Sequence, residues 1–331
     1  MGQQGYERQV VSRAPDLLGD GWDVRQVIVR TLRSRLPGTA RIPASVMTSE
    51  DGRMRAALGR FLYRGTDLVH RLDLRIPPAS GPEILTVHDL APWRFPDEGH
   101  LPRIVAAEAR RAEIVICPSN FAADEVASEL GVNRTVVIHG GVDGDRFKAV
   151  PMSEQELARF GLSHPFVLHS GGATERKNLV GLAAAWSLLR QARPDTFLAM
   201  TGPHNHRRDE LFAGQDGVRI LGRISHADLV RLMASAAVVV IPSLYEGFGL
   251  PALEGMASGV PVVAVSRSAL PEVCGDDAIM VEPGGESLAE GLEAALSGGP
   301  DISRMTARAR ERAHRFTWEA SVRAHVAVWA R

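Results

Sequence analysis

Cysteine is nearly absent: of 331 residues only Cys117 and Cys274 carry a thiol. Two cysteines in apolar or mixed strand-end contexts exclude a disulfide framework and read as packed thiols of a reducing compartment. Long apolar runs are missing as well. No stretch approaches the roughly 18 residues of a membrane span, and the N-terminal stretch lacks the apolar core of a secretory signal. The chain therefore reads as cytoplasmic, with at most peripheral contact at the inner face of a membrane. An excess of one charge sign is also lacking. The formal net charge of −1 offers no field for nucleic acid or an acidic partner. No G-x-G-x-x-G follows a predicted strand with an acidic residue about 20 positions on, which argues against a dinucleotide-dependent oxidoreductase. Internal repeats and low-complexity segments do not occur.

What is present is ordinary for a globular protein, 45% apolar and 23% charged residues, and the length accommodates two domains. Short Val/Ile-rich runs alternate with amphipathic stretches. The first set is VRQVIVR (24–30), TDLVHR (66–71), EILTVHDL (83–90), AEIVICPS (112–119) and TVVIHGG (135–141). The second set is PFVLHSGG (165–172), TFLAMTG (196–202), GVRILG (217–222), AAVVVIPS (236–243), VPVVAVS (260–266) and AIMVEP (278–283). Continuous apolar strands separated by helices imply parallel sheets covered on both faces. The expected architecture is α/β, two Rossmann-like doubly wound domains facing a cleft. The expected divisions are 1–150, 151–315 and a final helix over 316–331, with Trp318, Val322, Val326 and Trp329 at helical spacing.

The opening MGQQGYERQVVSRAPDLLGDGWDV reads as a glycine-containing bend and a helix before any strand. A doubly wound domain normally opens on a central strand, and its absence would leave strand edges unpaired. The expectation is that residues are missing upstream of Met1 or that this half is compromised.

The richest stretch is SLYEGFGLPALEGMASGVPVVA, Ser243 to Ala264. It follows a buried strand, and in open α/β sheets ligands collect beyond the carboxyl ends of strands. Gly247 and Gly249 permit close backbone approach. Pro251 suits the first position of a helix and Gly259 its end, which puts Glu254 in the first turn. The amides of Gly249 and Leu250 at that helix start favour an anion. Two carboxylates, Glu246 and Glu254, beside an anion site call for a ligand with phosphates at one end and hydroxyls around them. A sugar nucleotide has that shape. In HSGGATERKN, Gly171-Gly172 makes a turn and Arg176 and Lys177 stand at a helix start, where cations are unfavourable unless an anion offsets them. A diphosphate would receive a forked contact from Arg and a point charge from Lys.

These motifs resemble the retaining, metal-independent glycosyltransferases of group one, family four, with the GT-B fold. The resemblance covers nearly the whole chain. It rests on Gly171-Gly172 before Arg176-Lys177-Asn178, on Glu246 and Glu254 around Gly-Phe-Gly, and on GVPVVAVSRSALPEVCGDDAIMVEP. In the first half it rests on TVHDLAPWRFP, SNFAADEV and GGVDGDRF. TVHDLAPWRFP is most similar to the mannosyltransferase-like subset of polysaccharide assembly. By this resemblance Arg176 and Lys177 neutralise the donor diphosphate, with Gly172 and Asn178 beside them. Glu246 holds hydroxyls of the donor sugar, with the amides of Phe248, Gly249 and Leu250 nearby. Glu254 binds the ribose, Arg223 and Ile224 face the base, and His88 approaches the donor sugar. The Gly2–Gly5 bend matches the family's glycine-rich loop near the phosphates and acceptor, and the final helix crosses back onto the first domain. The implied reaction moves a hexose, mannose favoured, from a nucleotide-diphosphate sugar (GDP-mannose favoured) to a saccharide or lipid-linked acceptor. No metal and no further cofactor is expected. A sugar-nucleotide epimerase of the same architecture and a donor-binding but inactive homologue are the competing readings.

Several other residues take plainer readings. Asp143-Gly-Asp145 reads as a turn rather than a metal motif, and His204 and His206 as a polar loop lacking further spaced ligands. His70 is a strand-end structural histidine. Trp93 and Arg94 are open to an acceptor or a structural role, and RMTARARERAHR is a solvated helix face.

Overall fold

The computed structural model describes residues 2–331, with side chains from residue 5 onward. Two compact units form. One comprises residues 1–140 with 318–331, the other residues 141–317. The sequence reading divides the chain at 150 and 315. The observed division comes earlier at the first boundary because Val142 bridges to Thr317 and Phe147 and Met152 pack in the core of the second unit. The final helix, Trp318–Trp329, belongs to the first unit.

The second unit is built on a six-stranded parallel sheet. Its strands are β7 (Phe166–Ser170), β8 (Phe197–Thr201), β9 (Val218–Gly222), β10 (Val238–Ile241), β11 (Val262–Val265) and β12 (Ile279–Val281). They lie in the order β12-β11-β10-β7-β8-β9. Side chains alternate between the faces of a strand, and both faces here are covered. Val238 and Val240 enter one apolar cluster with Trp186, Leu189 and Leu288. Val239 and Ile241 enter another with Leu157, Leu253 and Met256. That double burial is why β10 reads VVVI without a polar residue. The strand order reverses between β7 and β10, so the loops leaving their carboxyl ends part and open a crevice.

In the first unit, β3 (Val69–Arg71), β4 (Glu83–Thr86), β5 (Ile114–Cys117) and β6 (Thr135–Val137) pair in that order, all parallel. Leu85, Val115 and Cys117 face one layer with Val105, Ala122 and Val126. Ile84, Ile116 and Ile138 face the final helix through Val328. The strands β1 (Val29–Thr31) and β2 (Ala40–Ile42) pair with each other as a separate parallel ribbon. They pack on the helix Gly52–Leu62 through Val29, Ile42, Val46 and Leu62. β2 goes unread in the sequence because a three-residue strand close before Pro43 carries too little apolar pattern to show periodicity.

The expected Gly2–Gly5 bend is absent. Residues Gly2–Arg13 form one helix, and Tyr6 and Val10 within it and Ala14 just beyond it, four residues apart, are buried. The apolar stripe overrides the low helix propensity of the two glycines. Among the described residues no helix is long and apolar enough to cross a membrane. Cys117 and Cys274 are free and buried, and burial pushes each thiol up to about 12.

Candidate donor site

After β7 the chain passes Gly171-Gly172 and makes a single tight turn, Glu175–Lys177. Asn178 follows with φ 51°, a left-handed conformation that caps the helix Leu179–Ala192 through its side chain. A cap before the helix leaves Arg176 and Lys177 on the turn itself rather than inside the helix. The turn is tied down on two sides. Leu244 N–H donates to Arg176 O at 2.8 Å, and Asn178 Nδ2 donates to Pro283 O at 3.1 Å. Loops after β7, β10 and β12 therefore meet at one edge of the sheet. The loop after β8 joins them, with Gly171 N–H donating to Thr201 O at 3.2 Å. Gly202, at φ 134°, comes so close that a Cβ there would sit 2.0 Å from Gly171 O.

Glu246 binds both cations. Arg176 Nη1 donates to Oε2 at 3.0 Å and Lys177 Nζ to Oε1 at 2.5 Å. Burial alone would raise the Glu246 carboxyl, but the adjoining Lys177 and Arg176 charges, with hydrogen bonds from Lys177 and Ser243, hold it down to about 2. Glu246 and Lys177 are only 7% and 8% exposed. A buried ion of either sign must be paired, and here one carboxylate serves two cations. The cluster therefore keeps a surplus positive charge. Lys177 is one of two lysines among 38 basic residues, the other being Lys148 in an exposed pair with Asp145.

Gly249, at φ 103°, ends the loop, and the helix Leu250–Ala257 has no side-chain cap. Among the described residues the amides of Gly249 and Leu250 have no partner, an arrangement suited to an anion. The helix begins one residue before Pro251, so the first turn is Leu250–Leu253 and contains no acid. Glu254 thus lies one position beyond the first turn in which the sequence reading places it. Burial pushes its carboxyl up to about 7, with the Arg146 charge acting against that rise. The two glutamates are opposites: one held ionised by contact, the other poised near neutrality.

The remaining candidates fall in different places. Gly172 has open space where a Cβ would stand, and Phe248 is buried at 7% exposure. Arg223 and Ile224 follow β9, the first exposed and the second packed against the core. His88 lies in the first unit beside Tyr6, ring centroids 4.7 Å apart. Its Nε2 is enclosed without a partner, and burial lowers its pKa to about 4. Gly2 and Gly5 lie in the opening helix. Trp93 donates to Leu101 O at 2.8 Å under the Arg103 guanidinium, and Arg94 pairs with Glu125 at 2.6 Å. Asp143 and Asp145 make turn contacts with Arg146 N–H and Lys148. The ligand atoms of His204, His206 and Asp209 lie within 4.8 Å of one another, a closer grouping than a loose polar loop.

Three contributors escape the sequence reading. Ser268, at φ 53°, accepts the Glu246 N–H at 2.8 Å and fixes the loop bearing that carboxylate. His169 on β7 is buried beside Lys177, with its Nε2 unpartnered and burial lowering its pKa to about 4. Arg146 supplies the charge felt by Glu254. Each lies inside a quoted stretch, His169 in HSGGATERKN, Arg146 in GGVDGDRF and Ser268 in GVPVVAVSRSALPEV, but the fold and not the motif decides which group it meets.

The family described as "Glycosyl transferases group 1" matches residues 154–312, and "Glycosyltransferase Family 4" matches residues 1–146. The Escherichia coli O-antigen chain mannosyltransferase B is 28% identical over 282 residues, 78% of this chain and 71% of that protein. A GDP-mannose-dependent alpha-(1-6)-phosphatidylinositol dimannoside mannosyltransferase of Mycobacterium tuberculosis is 30% identical over 221 residues, 65% of this chain and 56% of that one. The structure of the sucrose-phosphate synthase of Thermosynechococcus elongatus superposes with a TM-score of 0.77 at 23% identity, covering 100% of this chain and 93% of that chain. With both halves matched in order and the two parallel sheets in place, the chain belongs to the group-one, family-four glycosyltransferases of GT-B fold.

Proposed function

We propose that the crevice between β7 and β10 binds a nucleotide-diphosphate sugar and that the protein transfers its hexose, mannose favoured, with retention. The observation that supports this most is the convergence of Arg176 and Lys177 on Glu246 at 3.0 and 2.5 Å, where the strand order reverses. The cluster presents surplus positive charge, and the uncapped amides of Gly249 and Leu250 add to it. Glu246 positions the cations and has oxygens suited to hydroxyls of the donor sugar. Glu254 is assigned to the ribose, Arg223 and Ile224 to the base, and His88 to the donor sugar. Gly172, Asn178 and Phe248 shape the site around the phosphates.

In the proposed reaction the bond from the anomeric carbon to the diphosphate oxygen breaks, and the acceptor hydroxyl bonds to that carbon on the same face. The acceptor proton passes to the departing diphosphate. Negative charge builds on that leaving group, so cations already in position lower the barrier. The glutamates need not form a covalent intermediate, unlike the paired carboxylates of retaining glycosidases. Charge neutralisation falls to Arg176 and Lys177, so the rate is expected to survive a metal chelator.

GDP-mannose is the favoured donor, since two relatives are named as mannosyltransferases and one as GDP-mannose-dependent. The acceptor is assigned as a saccharide or lipid-linked saccharide of glycan biosynthesis, and the protein as cytoplasmic with peripheral contact at the membrane. A thermal-shift panel of GDP-, UDP-, ADP- and dTDP-sugars, followed by product analysis with the stabilising donor, tests this. The expected result is a raised melting temperature by mass action and a transferred sugar. Stabilisation without turnover would favour an inactive donor-binding homologue, and interconversion of the free donor an epimerase.

A further inference from the structure

The helix Gly52–Leu62 is fastened by one face and bare on the other. Inward, Arg55 donates to Glu108 at 2.6 and 2.9 Å and to the carbonyls of Val46, Leu74, Arg75 and Ile76. Gly59 lies so close to Pro78 that a Cβ would sit 1.8 Å from its carbonyl oxygen. Outward, Met54, Ala57 and Phe61 are exposed at helical spacing, Phe61 to 79%. Arg53, Arg60 and Arg64 are exposed beside them, with no carboxylate partner among the described residues.

The charge around this face is one-sided. Residues 24–64 hold nine arginines, of which Arg55 is buried against Glu108, and two acids, Glu50 and Asp51, in a chain of net charge −1. Both acids are occupied. Glu50 accepts the amides of Arg103 and Ile104 at 2.8 and 2.9 Å, and Asp51 caps the helix. The loop between β1 and β2 repeats the pattern, with Leu32 and Leu36 at 61% and 59% exposure and Arg33 and Arg35 exposed between them.

We infer that the outer face of the helix Gly52–Leu62 docks on an anionic lipid bilayer. Phe61 and Met54 enter the headgroup boundary, while the flanking arginines keep their stems on apolar surface and their guanidinium groups on lipid phosphates. Charge selects the partner, and the protruding apolar residues separate a bilayer from a purely polar polyanion. Anchoring of this kind needs both signals together, since neither a few apolar side chains nor a few charges holds alone. The inference gives a surface to the peripheral localisation proposed above and rests on that reading. Its test uses no donor, so its failure leaves the transferase reading standing.

The test is sedimentation of the full chain with vesicles of phosphatidylglycerol and phosphatidylcholine, against phosphatidylcholine alone. The protein is expected to sediment with the anionic vesicles only and to be released by high salt. Phe61→Ser should weaken this binding about tenfold, given the apolar area withdrawn. Arg53→Glu with Arg60→Glu should weaken it more, at about fivefold or above for each charge removed. Because the fastened face is untouched, both variants should keep the wild-type melting temperature. No sedimentation with anionic vesicles, or undiminished sedimentation of both folded variants, would overturn the proposal. So would a Phe61-dependent dimer in size exclusion, which would make a second copy the occupant.

Discussion

Two clusters, one in each unit, solve the burial of titratable groups in opposite ways. At the strand ends of the second unit, Glu246 is kept ionised by its contacts with Lys177 and Arg176. In the first unit, His70, His88 and His325 are kept neutral, with burial the main cause. The hydrogen bonds fix that neutrality. Trp329 Nε1–H donates to His70 Nδ1 at 3.1 Å, so His70 Nε2–H donates to Thr86 Oγ1 at 2.7 Å. His325 Nδ1–H donates to Ser321 O at 2.8 Å, which makes its Nε2 the acceptor of the Tyr6 hydroxyl, also at 2.8 Å. A proton added to His70 or His325 meets a donor already in place. A charged cluster suits an anion that arrives and departs, whereas a neutral one locks helices onto a sheet.

The largest expected effect breaks the charged side of this contrast. Lys177→Ala should raise the barrier to transfer by about 2–4 kcal/mol, a hundredfold or more in rate. Glu246 retains Arg176 and Ser243, so the loss of stability should stay at about 1–3 kcal/mol. Initial rates beside urea unfolding separate the two.

Acid should break the neutral side. The folded-state pKa values of these histidines are depressed, so the unfolded chain takes up protons first. Stability is complete above the ordinary value of about 6.5 and is lost as the pH falls to about 4, where His88 and His325 titrate in the fold. Each contributes up to about 3 kcal/mol of that loss. His169 adds to it in the second unit. Urea midpoints at pH 7.5 and pH 5.5 check the trend, and a flat profile would contradict it.

Gly249→Ala sharpens the contrast at the backbone. It forces a side chain to φ 103° with its Cβ 2.8 Å from Leu270 Cδ2, which should cost about 1–3 kcal/mol and weaken donor binding. The smallest effect belongs to Glu254. Its raised pKa means that the stability it contributes is present below the unfolded value and lost as the pH rises through about 7. Donor affinity should therefore change with an apparent pKa near 7, by about tenfold or less, and Glu254→Gln should flatten that profile in calorimetric titrations.

Much of this was legible in the sequence because burial writes directly on it. β10 reads as a doubly covered strand, and Gly259 past the helix end takes the left-handed φ of 69° that such an end favours. The Arg-Lys turn and the glutamate pair were legible as a family pattern. Their convergence was not, since it depends on Leu244 N–H reaching Arg176 O and on Ser268 reaching Glu246. Glu254 falls past the first turn because the helix opens at Leu250 after the Gly249 cap, a residue earlier than Pro251 suggests. The opening glycines suggest a bend, but the buried stripe of Tyr6 and Val10 outweighs them. The histidine cluster joins residues as far apart as Tyr6 and His325, beyond any local pattern.

The most direct test of the central claim is calorimetric binding to the wild type and to Lys177→Ala, using the nucleoside diphosphate of the preferred donor and its parent nucleoside. The account predicts at least a tenfold loss for the diphosphate, with the nucleoside unaffected. Equal affinity of both proteins for the diphosphate would contradict it.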